Sequence, residues 1–199
     1  MSQSLLLASA SAIRLQVLHA AGVDIRAVPV RVDEASCRQS LEAEGATPRD
    51  IADTLAEIKA RRVSVSNPGA VVLGCDQVLA LRNRVFAKPE TLEQARAQLI
   101  DLRGQTHQLL SAAVIYENGE PIWRHVGQAR LTMRVFSDSF LEDYLARNWP
   151  SLASSVGGYK IEEEGIRLFE RIEGDHFTIL GLPLLPILSF LVTKGVLPK

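Results

Sequence analysis

Two kinds of hydrophobic pattern alternate along the chain: short unbroken apolar runs bounded by small or polar residues, and longer stretches with apolar positions three or four residues apart. The first kind predicts buried strands and the second predicts helices, because side chains return to one face every second residue in a strand and about every 3.6 residues in a helix. Leu5-Leu6-Leu7-Ala8 reads as a strand, Ser9-Ala10-Ser11 as a tight connection, and Ala12 to Ala21 as a helix. Ser11 is its N-cap, Ile13, Val17, Leu18 and Ala21 face inward, and Gly22 ends it. A second strand is expected over Ile25 to Val30, and the polar segment Cys37 to Gly45 reads as mobile. Thr47-Pro48-Arg49-Asp50 then opens a helix with a capping-box pattern and proline at its first position, its stripe running through Ile51, Leu55, Ile58 and Val63.

Asn67-Pro68-Gly69 breaks the chain before Val71-Val72-Leu73-Gly74-Cys75-Asp76-Gln77, an apolar run that ends by presenting a carboxylate. Val78 to Leu81 continues it, 82–84 turns, and Val85-Phe86 returns toward Lys88-Pro89-Glu90. Thr91 to Leu102 is a helix with Thr91 and Gln94 as its capping pair. His107 to Tyr116 and Pro121 to Val135 flank Asn118-Gly119, a strong hairpin signal. A helix from Ser137 through Ala146 follows, then a small-residue loop over Ser151 to Gly158, a strand over Ile166 to Ile172 and a turn at Gly174-Asp175-His176. Gly181-Leu182-Pro183 leads into a leucine-rich closing helix ended by Gly195. The pattern predicts an α/β fold in one domain over residues 1–199: a twisted mixed β-sheet flanked by helices, with two lobes and a central cleft.

Composition narrows the classes. With 47% hydrophobic residues, the 199-residue chain can bury a full core. A formal charge of −1 provides no basic footprint for nucleic acid, so an anionic ligand would need a local cluster of cations. Cys37 and Cys75 are too few for a disulfide framework and are expected as thiols, Cys75 in the core. The apolar segment 177–192 holds two prolines and falls short of a spanning helix, so a cytoplasmic protein without a membrane partner is expected.

Several polar residues ask for a reason. Asp76 either caps a turn or faces a ligand, since ligands of buried sheets bind beyond strand ends. Arg14 falls in the first turn of a helix, where the macrodipole disfavours a cation. With Ser9, Ser11 and the free backbone N–H groups there it would make a phosphate cradle, or else it is a solvated arginine on an ordinary capped helix. Glu34, after Val32-Asp33, either ligates a hard cation or starts a turn. Lys59 lies along an apolar stripe, so it must snorkel or meet an anion. Pro89 limits the freedom of Lys88. His107 and His125 lack partners at metal-ligand spacing and read as strand or surface residues, while charges at 162–164 read as a solvated face. Neither a Walker lysine nor G-x-G-x-x-G is present near Arg14.

Taken in order, these segments resemble the Maf (septum-formation) family of nucleotide pyrophosphatases over nearly the whole chain. Ser9-Ala10-Ser11-Ala12-Ile13-Arg14 stands where that family shows S-x-S-P-R-R, Asp33-Glu34 where it shows D-E, Lys59-Ala60 K-A, Gly74-Cys75-Asp76-Gln77 G-x-D-T/Q, and Lys88-Pro89 K-P. Arg103-Gly104 with His107, Gly158-Tyr159 to Gly165, Glu170 to Gly174, and Gly181-Leu182-Pro183 complete the order. The resemblance implies hydrolysis of a nucleoside triphosphate to the monophosphate and pyrophosphate, with Asp76 as proton acceptor. It also implies Ser9, Ser11, Arg14, Lys59 and Lys88 on the triphosphate, Glu34 and Asp76 on Mg²⁺ or Mn²⁺, the same architecture, and a homodimer. At the three positions that separate family substrate types, Gln77 and Glu162 follow the 7-methyl-GTP pattern and Ile13 follows neither. The rival expectation is a non-hydrolytic nucleotide-binding regulator of cell division, which would need the cradle but not Asp76.

Overall fold

The computed structural model describes residues 4–198. Seven strands form one mixed sheet: β1 (Leu5–Ala8), β2 (Arg26–Ala27), β3 (Val71–Leu81), β4 (Arg84–Phe86), β5 (Thr106–Glu117), β6 (Glu120–Met133) and β7 (Phe169–Glu173). The order is β2-β1-β3-β5-β6-β7, with β4 paired to β3. β1 pairs in parallel with β2 and β3, while β3–β4 and β6–β7 are antiparallel. Asn118 and Gly119 both carry positive φ (53° and 82°), as a type I′ hairpin turn requires. Helices α1 (Ala12–Ala20), α2 (Glu34–Ala43), α3 (Pro48–Ser66), α4 (Leu92–Leu102), α5 (Asp138–Asn148), α6 (His176–Ile179) and α7 (Leu184–Lys194) flank the strands in sequence.

The chain divides into two compact units. The first runs to Gln77 and adds Leu110–Gly127 and the chain from Asp175 onward; the second holds Val78–Leu109 and Gln128–Gly174. In the first unit Leu5, Leu7, Val71, Leu73 and Cys75 share a core with Val17 and Leu18 of α1 and Leu184, Ile187 and Leu191 of α7. By strand alternation Gly74 and Asp76 point to the other face. There α3 comes so close that a Cβ on Gly74 would stand 2.3 Å from the Ala56 carbonyl oxygen and 2.8 Å from the Ala60 Cβ. In the second unit Leu99, Leu102, Tyr144, Leu145, Tyr159 and Leu168 are buried, and the His107 ring packs against Tyr159 and Phe169.

Five expectations change. Residues 37–43 belong to α2, which Asp33 caps by accepting from the Ser36 N–H at 3.0 Å; the helix buries no residue, so no apolar stripe announces it. The strand expected at 25–30 shrinks to Arg26–Ala27, because Pro29 lacks a donor and Ile25 turns into the core. The strand expected at 166–172 begins only at Phe169, after a 3-10 turn over Glu164–Leu168. Asp175 caps the short α6 where only a turn was expected. Ala21 is exposed past the end of α1.

Candidate functional site

Asp76 is not at the tip of its own strand. It lies inside the eleven-residue β3, but the parallel ladder with β1 stops at the Ala8–Gly74 pair, so Asp76 stands two residues beyond the end of its neighbour. The position beyond a strand end that ligands favour is thus made by β1 stopping short. On the same face lies α3, which opens with a complete Thr47–Asp50 capping box and comes close because Gly74 has no side chain.

That close packing brings Lys59 of α3 onto Asp76. The Lys59 ammonium lies 2.6 Å from Asp76 Oδ1 and 2.6 Å from Glu34 Oε1. Lys59 is 8% exposed and Asp76 6%. The lysine on the apolar stripe therefore meets two anions instead of snorkelling. Burial pushes the Asp76 carboxyl above the usual carboxylate range; Lys59 and Arg14 pull it back, and Glu34 pushes it further up. Asp76 Oδ2 makes no hydrogen bond among the described residues.

Arg14 answers its own question. Its Nε donates to the Gly181 carbonyl (2.8 Å), and Nη1 donates to the Cys75 carbonyl (2.9 Å) and to Ser9 Oγ (3.3 Å). The guanidinium thus ties the loop after β1 to the residue preceding Asp76 and to the entry of α7. Ser9 Oγ also accepts from the Ser11 N–H, and Ser11 Oγ caps α1 by accepting from the Arg14 N–H. Ser9 is buried.

Gln77 spends its amide nitrogen inside the protein, on Ser111 Oγ (3.0 Å) and the carbonyls of Thr178 (3.2 Å) and Ile179 (2.9 Å). Ile13 is half-buried against the core. Cys75 is fully buried and its thiol is pushed up to about 11 by burial, which suits a core residue and not a nucleophile. His107 is a buried residue of β5. Lys88 and Glu162 belong to the second unit, and both are exposed. The structure so brings Glu34, Lys59 and Asp76 into contact, with Arg14 bonded to the carbonyl of the adjacent Cys75 and Ser9 bonded to Arg14. Sequence reasoning missed Ser111 and the Gly181 carbonyl, neither of which carries a local signal.

Among the described residues no group of three or more His, Cys, Asp or Glu side chains is arranged to hold a metal ion. Mg²⁺ and Mn²⁺ do not need one: one or two carboxylates suffice when substrate phosphates and waters complete the shell. Two carboxylates that meet at a single nitrogen, one with an oxygen to spare, fit that demand.

Residues 4–194 match the family described as "Maf-like protein". The chain is 58% identical to a protein of Ruegeria pomeroyi named nucleoside triphosphate pyrophosphatase, covering 99% of each. It is 56% identical to one of the same name from Roseobacter denitrificans, covering 100% of each. A protein of Mesorhizobium japonicum named 7-methyl-GTP pyrophosphatase is 50% identical, again over 99% of each.

Proposed function

The chain belongs to the Maf family, and from that premise we propose that it hydrolyses nucleoside triphosphates to the monophosphate and pyrophosphate, with Asp76 accepting the proton. The observation that carries this is the buried Asp76 carboxylate flanked by Lys59 and Arg14. A water oxygen attacks the α-phosphorus, Asp76 takes one of its protons, and the bond to the β-phosphate oxygen breaks to release pyrophosphate. Burial of the carboxyl raises its basicity, which suits a general base. Ser9, Ser11, Arg14, Lys59 and Lys88 hold the triphosphate and neutralise charge that develops on it. Glu34 and Asp76 would hold Mg²⁺ or Mn²⁺, which when bound supplies further charge neutralisation on the phosphates.

For the base we propose a guanine type, methylated or not. Glu162 is the acceptor that would read it, since a carboxylate accepts two hydrogen bonds side by side from adjacent N–H groups. Gln77 shapes the same specificity indirectly, because its amide nitrogen is committed to α6. Ile13 offers no indole to stack on a cationic base, so methylation is not demanded. Work in the cytoplasm accords with the described residues, in which no helix is long and apolar enough to cross a membrane. A homodimer is our expectation from the family likeness, checked by sedimentation.

The test is a panel of standard and methylated nucleotides, with Mg²⁺ or Mn²⁺ and with products identified. Pyrophosphate and monophosphate are expected. Orthophosphate would mean a different phosphohydrolase, and nucleotide binding without any product would favour the regulator of cell division.

A further inference from the structure

Three side chains of the first unit meet on one nitrogen, and each comes from a different element. Glu34 opens α2, Lys59 belongs to α3 and Asp76 to β3. The Lys59 ammonium, 2.6 Å from Glu34 Oε1 and 2.6 Å from Asp76 Oδ1, is a cation that both carboxylates share. Asp76 is buried, as are Ala56, Ala60 and Val63 beside Lys59 on α3, while the Glu34 side chain is 46% exposed. The shared cation therefore has a buried wall on one side and a wall that faces solvent on the other.

This arrangement sets two of the proposed roles against each other. Glu34 and Asp76 are to hold a divalent cation and Lys59 the triphosphate, yet the ammonium sits on the oxygens that the divalent cation would use. Asp76 Oδ2 makes no hydrogen bond among the described residues and would still accept a cation. A divalent cation there would stand beside the ammonium, and like charges that close in a buried site repel strongly. Two carboxylates balance either cation well and both together badly. A triphosphate brings the missing negative charge. Lysine suits such an exchange, because its ammonium is a compact charge on a flexible four-carbon stem and changes partner without moving the helix that carries it.

We propose that Lys59 is the resident counter-ion of the Glu34–Asp76 pair, excluding a divalent cation until a triphosphate draws its ammonium away, so that metal and nucleotide load together. This rests on the reading of Glu34, Lys59 and Asp76 given above and adds an order of events to it. A lysine kept only for stability would stay on its carboxylates in every state, and its loss would loosen the site and weaken metal and triphosphate binding alike. A resident counter-ion predicts opposite signs, because its loss removes a competitor of the metal and a partner of the triphosphate.

Lys59→Met is compared with the parent enzyme and with Arg62→Met, which removes an exposed cation one turn along α3. Mn²⁺ binding without nucleotide is read from the free-ion signal in electron paramagnetic resonance, and binding of a non-hydrolysable GTP analogue is read in EDTA by calorimetry. Lys59→Met should bind Mn²⁺ about tenfold more tightly than the parent and the analogue about tenfold more weakly, while Arg62→Met changes neither by more than about twofold. Lys59→Gln, which keeps an N–H donor for the carboxylates, should behave the same way and replaces Lys59→Met if that variant does not fold. Adding Asp76→Asn to either should abolish the gain in Mn²⁺ affinity; a gain that persists lies elsewhere and refutes the proposal. Mn²⁺ affinity no higher than the parent's, or an equal gain in Arg62→Met, also refutes it, while pyrophosphate release by the parent still upholds the proposed function. Undiminished binding of the analogue shows that the ammonium never leaves its carboxylates and overturns the exchange. If no form binds Mn²⁺ and the parent releases no pyrophosphate, both readings fall.

Discussion

Asp76 and Lys59 illustrate how single residues are set against the solvent. A carboxylate and an ammonium this deeply buried are costly to desolvate, and the cost is met only because each finds the other at 2.6 Å with Glu34 as a third partner. Asp76→Asn keeps the shape and removes the proposed proton acceptor. Pyrophosphate release should fall by roughly 10²–10⁴-fold while equilibrium binding of a non-hydrolysable triphosphate persists. Undiminished turnover in that variant would remove Asp76 from the chemistry. Arg14 makes a different demand, for shape as well as charge. Its Nε and Nη1 reach two backbone carbonyls in a fixed fork, which an ammonium cannot reproduce. Arg14→Lys should therefore cost about 1–2 kcal/mol in urea unfolding and raise KM for the triphosphate together. A rise in KM without loss of stability would mean that the carbonyl contacts are incidental.

Packing at the level of elements decides whether those residues meet at all. α3 reaches Asp76 because Gly74 leaves room for the Ala56 and Ala60 backbone, and any Cβ there would collide with backbone, not with a movable side chain. Gly74→Ala should push α3 off β3, lower stability by about 1–3 kcal/mol and separate Lys59 from Asp76. Denaturant midpoints with kcat/KM on the same samples check both losses, and an unchanged midpoint would contradict the packing. Much of α3 was legible beforehand, since Thr47, Pro48 and Asp50 announce its start and Ile51, Leu55 and Val63 its buried stripe. α2 was not, because its stability comes from the Asp33 cap and its own helix-forming residues, with nothing buried to leave a period. Lys59 could be marked as anomalous from its place on the stripe, but its partners could not be deduced. Arg14 finds its Gly181 acceptor 167 residues away, which no local rule reveals. Glu163 and Glu164 read as a solvated face for the same reason: their partners at 147, 148 and 151 come from other turns of the chain.

Unfolding of the molecule as a whole reports on a group outside the proposed chemistry. His107 has no exposed surface, one ring nitrogen bonded to Tyr159 and the other, Nδ1, without a partner among the described residues. Burial pulls its pKa down to about 4, from an ordinary value of 6.5. The unfolded chain thus binds a proton at this site more readily than the folded protein across the interval between those values, so stability must rise with pH there. The contribution is complete above the unfolded pKa and is lost as pH falls through the interval toward the folded one. From pH 7 to pH 4.5 the loss from this single ring should be about 2–3 kcal/mol. Asp76 works in the opposite sense: its raised pKa favours the folded state only while the carboxyl is protonated, and that advantage disappears as pH rises through its folded value. The raw pH profile of the protein mixes both groups, and a comparison isolates one. His107→Gln cannot titrate, so the difference in urea-unfolding free energy between it and the parent should shrink by about 2–3 kcal/mol between pH 7 and pH 4.5. Parallel profiles for the two proteins would show that the ring is reached by water and takes up its proton at an ordinary pH.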